Sequence, residues 1–277
     1  MEQEVIEYLG LNYNSFKKLQ VEVELLPSTI IKQNNFEVVS QLIQNAWLKN
    51  KTILDIALGT HTISWDDDKF STFFPSDNVD VVAAVLHDEL HMKLFPPKNM
   101  LFDGGVLDLP VFEVEYILRN VPKNIPNNDV VNSILKTQNK YEGEFLFEIL
   151  GKAVRSQRNK IDKPLNIESI SDALELIERE NENPYHTLTN TKAFALIRNQ
   201  IENNKFMSTD VLNFSPVGRV HKTRTYFLGD PNMIGRLAKT IGCQIEIENK
   251  GDMFDVSCLL RMGCVILNRS LISVIES

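Results

Sequence analysis

Between Asn127 and Lys160 the chain reads NNDVVNSILKTQNKYEGEFLFEILGKAVRSQRNK, and its apolar residues recur at helical spacing. Val130, Val131, Ile134, Tyr141, Phe145, Ile149, Ala153 and Val154 form one stripe down most of the stretch. Asn127, Asn128 and Asp129 offer an N-cap and negative charge for the first turn. Arg155, Arg158 and Lys160 put cations at the opposite end, where the helix dipole favours them. Pro164 then forbids continuation. Helical throughout, the stretch spans on the order of 50 Å, whereas helices of globular proteins average about eleven or twelve residues. A helix this long belongs to a coiled coil, to a bundle, or to a flat subunit as its spine. Gly143 and Gly151 are the places where it bends or divides into two.

The whole chain has 277 residues, enough for a real core and one or two domains. Its net charge of −8 argues against a protein whose main work is gripping phosphates, though not against a container wall that faces nucleic acid. Cys243, Cys258 and Cys264 are the three cysteines, and none forms a CxxC. That set points to a reducing compartment and small buried side chains, not to a disulfide framework or a zinc site. The opening MEQEVIEYLG lacks the basic and apolar regions of a signal peptide, and no apolar run has the length of a membrane span. The expectation is a cytosolic chain without a membrane partner.

Taken in order, Leu19 to Leu25 alternates apolar and acidic residues like a strand, and Pro27 breaks it. Phe36 to Trp47 has the pattern of an amphipathic helix. Thr52–Leu58, Thr62–Trp65 and Phe70–Phe74 read as short strands, with Asp66, Asp67 and Asp68 as a solvated acidic turn. Residues 78–95 read as a helix. Met100–Phe102 and Val106–Leu109 flank Asp103-Gly104-Gly105, the signal of a hairpin. In the strand from Val111 to Leu118, Phe112, Val114, Tyr116 and Leu118 face one way while Glu113, Glu115 and Arg119 face the other; Pro122 and Pro126 stop it. After Pro164, Ser169 and Asp172 resemble a capping box for a helix carrying Ile170, Ala173, Leu174 and Ile177. Tyr185–Thr189 is a short strand, and Asn190 or Thr191 caps a helix from Lys192 to Ile201. Pro231 to Lys239 reads as loop with a helical turn. Ile241–Ile247, a turn at Asn249–Asp252, Phe254–Leu260, an interruption at Gly263, and apolar segments to Ile275 complete an antiparallel sheet.

Chemistry is sparse in this order. No Gly-rich nucleotide loop, no GxSxG and no cysteine in a nucleophile context occurs. His87-Asp88-Glu89-Leu90-His91 imitates a zincin, with two histidines at i and i+4 on a helix face. The zincin general base is a Glu directly after the first His, and Asp88 stands there instead. The plain reading is two partly exposed histidines on an amphipathic helix; the alternative is a zinc-dependent hydrolase using His87 and His91. Arg219, His221, Lys222 and Arg224 form a small basic cluster, read as a solvated loop or as a contact to phosphate or an acidic neighbour.

The element order is α+β, and four passages carry a resemblance. DLPVFEVEYILRNVPKNIPNNDV, KYEGEFLFEILGKAVRSQ, IESISDALELIERENENPYHTLTNTKAFALIRNQ and GCQIEIENKGDMFDVSCLLRMGCVILNRSLISVIE resemble the major capsid proteins of tailed phages with the Hong Kong 97 fold, which encapsulin shells share. The resemblance covers mainly residues 106–277. It implies an N-terminal arm and helical or strand region at 1–93, an extended hairpin at 94–118, a peripheral-domain spine helix at 119–164, a mainly axial domain at 165–245, and closing peripheral strands at 246–277. Asp103, Gly104 and Gly105 would touch a neighbouring subunit, and Arg219, Lys222 and Arg224 would face DNA or a neighbour. It further implies a non-enzymatic shell subunit without cofactor, assembled in the host cytoplasm into the hexamers and pentamers of an icosahedral virion that encloses double-stranded DNA. Scaffold, portal and decoration proteins would be its other partners. An encapsulin-like compartment with protein cargo, or an adaptor binding partners through the long helix, are the competing expectations.

Overall fold

The computed structural model describes residues 18–26, 36–74, 79–80, 82–86, 92–94, 99–100, 105–154, 160–178, 186–202, 214–216 and 223–276. The chain opens with strand β1 (Lys18–Glu22), helix α1 (Phe36–Lys49), helix α2 (Ile53–Ala57) and strand β2 (Gly59–Ile63). Strands β3 (Lys69–Phe74), β4 (Val79–Asp80), β5 (Val82–Leu86), β6 (Met92–Leu94), β7 (Asn99–Met100), β8 (Gly105–Pro110) and β9 (Phe112–Pro122) follow, and lead into α3 (Asn127–Ala153). Next come β10 (Lys160–Ile161), α4 (Ile167–Glu178), β11 (His186–Thr189), α5 (Thr191–Glu202), β12 (Phe214–Pro216), β13 (Arg224–Leu228) and α6 (Pro231–Ile234). Strands β14 (Gly235–Thr240), β15 (Gln244–Lys250), β16 (Met253–Ile266) and β17 (Ile272–Glu276) close the chain.

α3 is one helix of 27 residues, about 40 Å long. It runs through Gly143, where an added Cβ would meet only Ile53 Cγ2 at 3.7 Å, so that glycine neither divides the helix nor fills a tight spot. It ends at Ala153, short of the expected Lys160, which instead opens β10. Arg155 and Arg158 lie outside the described residues. Val130, Ile134, Phe145, Leu146, Ile149 and Leu150 are fully buried on the face that packs against the main sheet.

That sheet has the order β1-β9-β16-β14-β2, with β15 and β5 also paired to the long β16. β9 alternates as its sequence demands: Val114, Tyr116 and Leu118 are buried beneath α3, while Glu113 and Arg119 face away. β16 contributes Val256, Cys258, Leu260 and Met262 to the same core and passes through Gly263 without interruption. α1 lays Val39, Ile43 and Trp47 onto this core, and Trp47 meets Tyr116 edge to face at 5.7 Å.

A second sheet, β10-β17-β13-β11-β12, divides two cores. Tyr226, Leu228, Ile272 and Val274 face the large core, while Phe227 and Ile275 face a smaller one built with Ile170, Ala173, Ile177, Ile197 and Ile201 of α4 and α5. β17 therefore does not continue the β15–β16 sheet, as its sequence position implied. A strand's partner is set by which face it must cover, and β17 is apolar on both faces.

Three local expectations change. Thr52–Leu58 is helical, because Thr52 and Asp55 form a reciprocal capping box that outweighs the strand-like composition. α4 is capped by Asn166, which accepts from Ser169 N at 2.9 Å, and Asp172 pairs instead with Lys163 at 2.6 Å. Of Pro231–Lys239, expected as loop with a helical turn, Pro231–Ile234 is that turn and the rest belongs to the strand β14, antiparallel to β16 and parallel to β2. The caps at Asn190 (to Lys192 N, 2.9 Å) and the turn at Asp67 (to Ser64 N, 2.7 Å) follow the sequence.

Candidate functional site

The first candidate feature is a ribbon. β3 and β8 pair antiparallel from Lys69↔Pro110 to Phe74↔Gly105, and β4 and β7 continue on the same register with Val79↔Met100 and Asp80↔Asn99. Among the described residues these four strands pair with no strand of the main sheet. Phe70, Leu109 and Val111, all buried, anchor its base. Past β4 the pairing shifts by one residue: β5 and β6 pair Ala84↔Leu94, and Val82 and Ala83 reach Ile266 and Val265 of β16. A two-stranded ribbon leaves a row of backbone N–H and C=O groups on each outer edge, a template that another chain can cover.

The ribbon corrects the hairpin expected at 94–118. Gly105 does not turn the chain; it sits opposite Phe74, and Met100 pairs with Val79, not with the run after the glycines. The Asp-Gly signal is local, whereas the register is decided by a non-local partner that anchors Phe70 and Leu109 in the base. Asp103 and Gly104 lie outside the described residues. So do His87 and His91. The segments on either side of them, β5 and β6, are strands paired with each other and not turns of one helix, so the expectation of a helix over 78–95 is not met where the chain is described. The valines of VVAAVL favour the extended state when a partner strand is present. Among the described residues no group of three or more His, Cys, Asp or Glu is placed to hold a metal ion. No helix among them is long and apolar enough to cross a membrane.

Arg219 and Lys222 also lie outside the described residues. Arg224 is at the start of β13, where its Nε and Nη2 donate to Glu276 at 3.1 and 2.9 Å. Lys160 reaches the same carboxylate at 2.8 Å. The hydrogen bond from Lys160, helped by Arg224 and opposed by partial burial, holds the Glu276 carboxyl below its ordinary range. The Glu276 carboxylate therefore stitches β10, β13 and β17 together. The main sheet's face away from α3 is treated alike. Arg261 pairs with Glu113 at 3.1 Å, Lys18 with Glu115 at 2.9 Å and Arg119 with Glu22 at 3.1 Å. Burial alone would raise the Glu115 carboxyl, but hydrogen bonds from Ser257, Lys18 and Gln20 outweigh it and hold it low.

The second feature is a buried ionic centre that the sequence did not announce. Glu142, on α3 and fully buried, accepts from Lys239 Nζ of β14 at 2.9 Å and from Gln138 Nε2 at 2.9 Å. The Thr52 hydroxyl lies 2.5 Å from Glu142 Oε2 and 3.0 Å from Asp55 Oδ2. Lys239 Nζ is also 3.4 Å from both Asp55 oxygens. Lys239 is 10% exposed and Asp55 14%, so one largely buried ammonium is shared by two carboxylates. The centre bolts α2 and α3 to the sheet. Beside it, the Tyr116 hydroxyl is buried without a hydrogen-bond partner among the described residues, and burial first, then the Glu142 charge, pushes its phenol well up. A cleft of about 320 Å³ opens over Lys239 and Asp55, walled by Trp47, Leu48, Gln138 and Ile241. The signal available in sequence was two polar residues at i and i+4, Gln138 and Glu142, on an otherwise apolar helix face.

No protein-family model matches the chain, and no curated protein matches it in sequence. Solved structures do match its backbone. The virus-like particle from Pyrococcus furiosus aligns with a TM-score of 0.52 and 12% identity, covering 87% of this chain and 99% of that one. The capsid of a native GTA particle aligns at 0.53 and 8% identity, covering 82% and 96%. Microbacterium phage Oxtober96 aligns at 0.51 and 13% identity, covering 82% and 91%. The fold is the Hong Kong 97 type. At these identities the likeness is one of backbone, spread over 82–87% of this chain.

Proposed function

We propose that the chain is the subunit of a self-assembling icosahedral shell, the major capsid protein of a phage head that encloses double-stranded DNA. The observation that carries this reading is the Hong Kong 97 backbone matched over nearly the whole of shell proteins such as the virus-like particle from Pyrococcus furiosus. The ribbon fits it: β3 with β8 and β4 with β7 form the arm that overlaps a neighbouring copy, with Gly105 inside it, while β5 returns to β16 of its own sheet. α3 is the spine of the peripheral domain, and α4, α5 and the second sheet form most of the axial domain that meets its copies in hexamers and pentamers. Many modest symmetric contacts then sum over a closed lattice, and no catalytic centre or cofactor is required. Scaffold, portal and decoration proteins are the natural further partners, and the virion, assembled in host cytoplasm, is the place.

With a net charge of −8 and three of its described arginines, 119, 224 and 261, paired to carboxylates, the subunit confines DNA without clamping it. The same negative charge also fits the second reading, a compartment shell around protein cargo. Purified protein, alone or with its scaffold, should elute at megadalton mass and show closed particles by electron microscopy. A monomer or small oligomer under every assembly condition overturns the shell reading. Nuclease-protected DNA inside the particles supports the phage head, whereas a co-purified protein in its place supports the compartment. Stoichiometric zinc that is lost on His87→Ala would instead overturn the shell reading in favour of a zinc site at His87 and His91.

A further inference from the structure

The two sides of the main sheet treat their cations differently. On the face away from α3, Lys18, Arg119, Lys250 and Arg261 are all paired to carboxylates. That face also keeps spare acid: Ile245 and Ile247 of β15 pack against the large core, so the alternating Glu246 and Glu248 point away from it. On the α3 side the cations stand free. Lys49 closes α1, Lys51 follows it, and Lys136 and Lys140 lie on α3, and all four are exposed. Among the described residues none of the four forms an ion pair. They share one surface, because Asn50 Nδ2 donates to Gln138 Oε1 at 3.0 Å and to Asn139 Oδ1 at 3.2 Å, which holds residues 49–51 against the 136–140 turn of α3. Lys136 and Lys140 are one turn apart, a like-charge spacing that works against the helix unless an anion covers it. The carboxylates beside the patch, Asp55 and Glu142, already share the Lys239 ammonium.

We propose that the surface made by the end of α1 and the outward side of α3 is the wall of the shell that faces the packaged duplex, with Lys49, Lys51, Lys136 and Lys140 meeting its phosphates. A chain of net charge −8 is repelled by DNA at a distance, so the duplex is met where cations are free and not where carboxylates already hold them. Four lysines without an arginine make point-charge contacts and no bidentate fork, which suits a phosphate backbone read without regard to sequence. Each contact is exposed and screened by salt, so the patch orients the wall and leaves the DNA unclamped. That this wall is the inner one rests on the shell reading; the affinity for phosphate needs only the folded subunit. An acidic protein segment is the competing occupant of the same charge, and the test separates the two.

The test titrates the full-length unassembled subunit into a short labelled DNA duplex of arbitrary sequence and follows fluorescence anisotropy. Four phosphate contacts give a slope of about −3.6 in log K against log salt, so raising the salt from about 50 to about 200 mM should weaken binding by about 150-fold. Each of Lys49→Gln, Lys51→Gln, Lys136→Gln and Lys140→Gln should make that slope shallower by about 0.9, and the four together should abolish binding. Acetylation of the native, unsubstituted chain, mapped by mass spectrometry, needs no variant: the bound duplex should protect these four lysines and leave the exposed Lys163 and Lys192 as reactive as before. Absence of binding at low salt, equal protection of Lys163 and Lys192, binding retained by the quadruple variant, or tighter binding of poly-L-glutamate than of the duplex each overturns the proposal. Closed particles formed by a subunit that fails these tests remove the lysine wall and leave the shell reading standing, which keeps the two failures apart.

Discussion

Removing the Lys239 ammonium tests the strongest energetic claim, that one cation buried between β14, α2 and α3 fixes the spine helix to the sheet. Lys239→Met keeps most of the stem and deletes only the charge. Glu142 is fully buried and Lys239 only 10% exposed, so the pair belongs to the buried regime and not to that of exposed pairs, whose median is about 0–1 kcal/mol. What remains after substitution is two carboxylates that share the Thr52 hydroxyl with no cation between them. Breaking one side of a buried pair costs about 3–5 kcal/mol, since it strands an uncompensated charge. Against a total domain stability of about 5–15 kcal/mol that loss is large. At about 2–4 °C per kcal/mol for domains of around 200 residues, it corresponds to a fall of about 10 °C in Tm. Thermal and urea unfolding of the unassembled subunit, followed by circular dichroism, measures it. The double variant Lys239→Met/Glu142→Leu should recover most of the loss, because an apolar replacement of a whole buried pair is often neutral. A Lys239→Met cost below about 1 kcal/mol, the exposed-pair range, or single-variant costs that simply add in the double variant, would refute the argument.

The remaining predictions concern register, pH and assembly. Gly235→Ala would place a Cβ 2.3 Å from the Val265 carbonyl oxygen, a clash with backbone that no side-chain rotation relieves, so it should destabilise by about 1–3 kcal/mol or more in urea unfolding. The Glu115 carboxyl is held below its ordinary value of 4.5, so the folded state binds this proton less readily than the unfolded chain. Its contribution is therefore complete above about pH 4.5 and is lost as the pH falls through the lower folded value; Glu115→Gln should flatten that acid limb of the stability profile. Asp255, lowered chiefly by Lys250 and by the backbone N–H of Asn120, adds to the same limb. Replacing residues 75–104 by a short turn keeps the anchored base at Phe70 and Leu109 but also removes β5 from its pairing with Val265 and Ile266 of β16, so the subunit should both lose stability in urea unfolding and fail to form particles by electron microscopy.

Sequence alone determined those elements whose stabilisation is local or periodic. The stripe from Val130 to Ala153 required a long helix with one apolar face, and the alternation from Phe112 to Leu118 required a strand with one. Asn190 capped α5, Asp67 closed its turn, and the element order was enough to indicate the fold class. Tertiary structure alone decided partners. Gly105 looked like a turn because Asp-Gly is a local signal, but its register is set by Phe74 and Phe70, more than thirty residues away. Thr52–Leu58 looked like a strand until Asp55 completed a capping box. Lys239, Asp55 and Glu142 are 184 and 97 residues apart along the chain in their two contacts with the lysine, and no spacing rule links them. β17 reads as apolar on both faces, and only the presence of a core on each side shows why it left the β15–β16 sheet for the second one. Periodicity reports which face of an element avoids water. It does not report which other face covers it, because that choice depends on the summed burial of the whole chain.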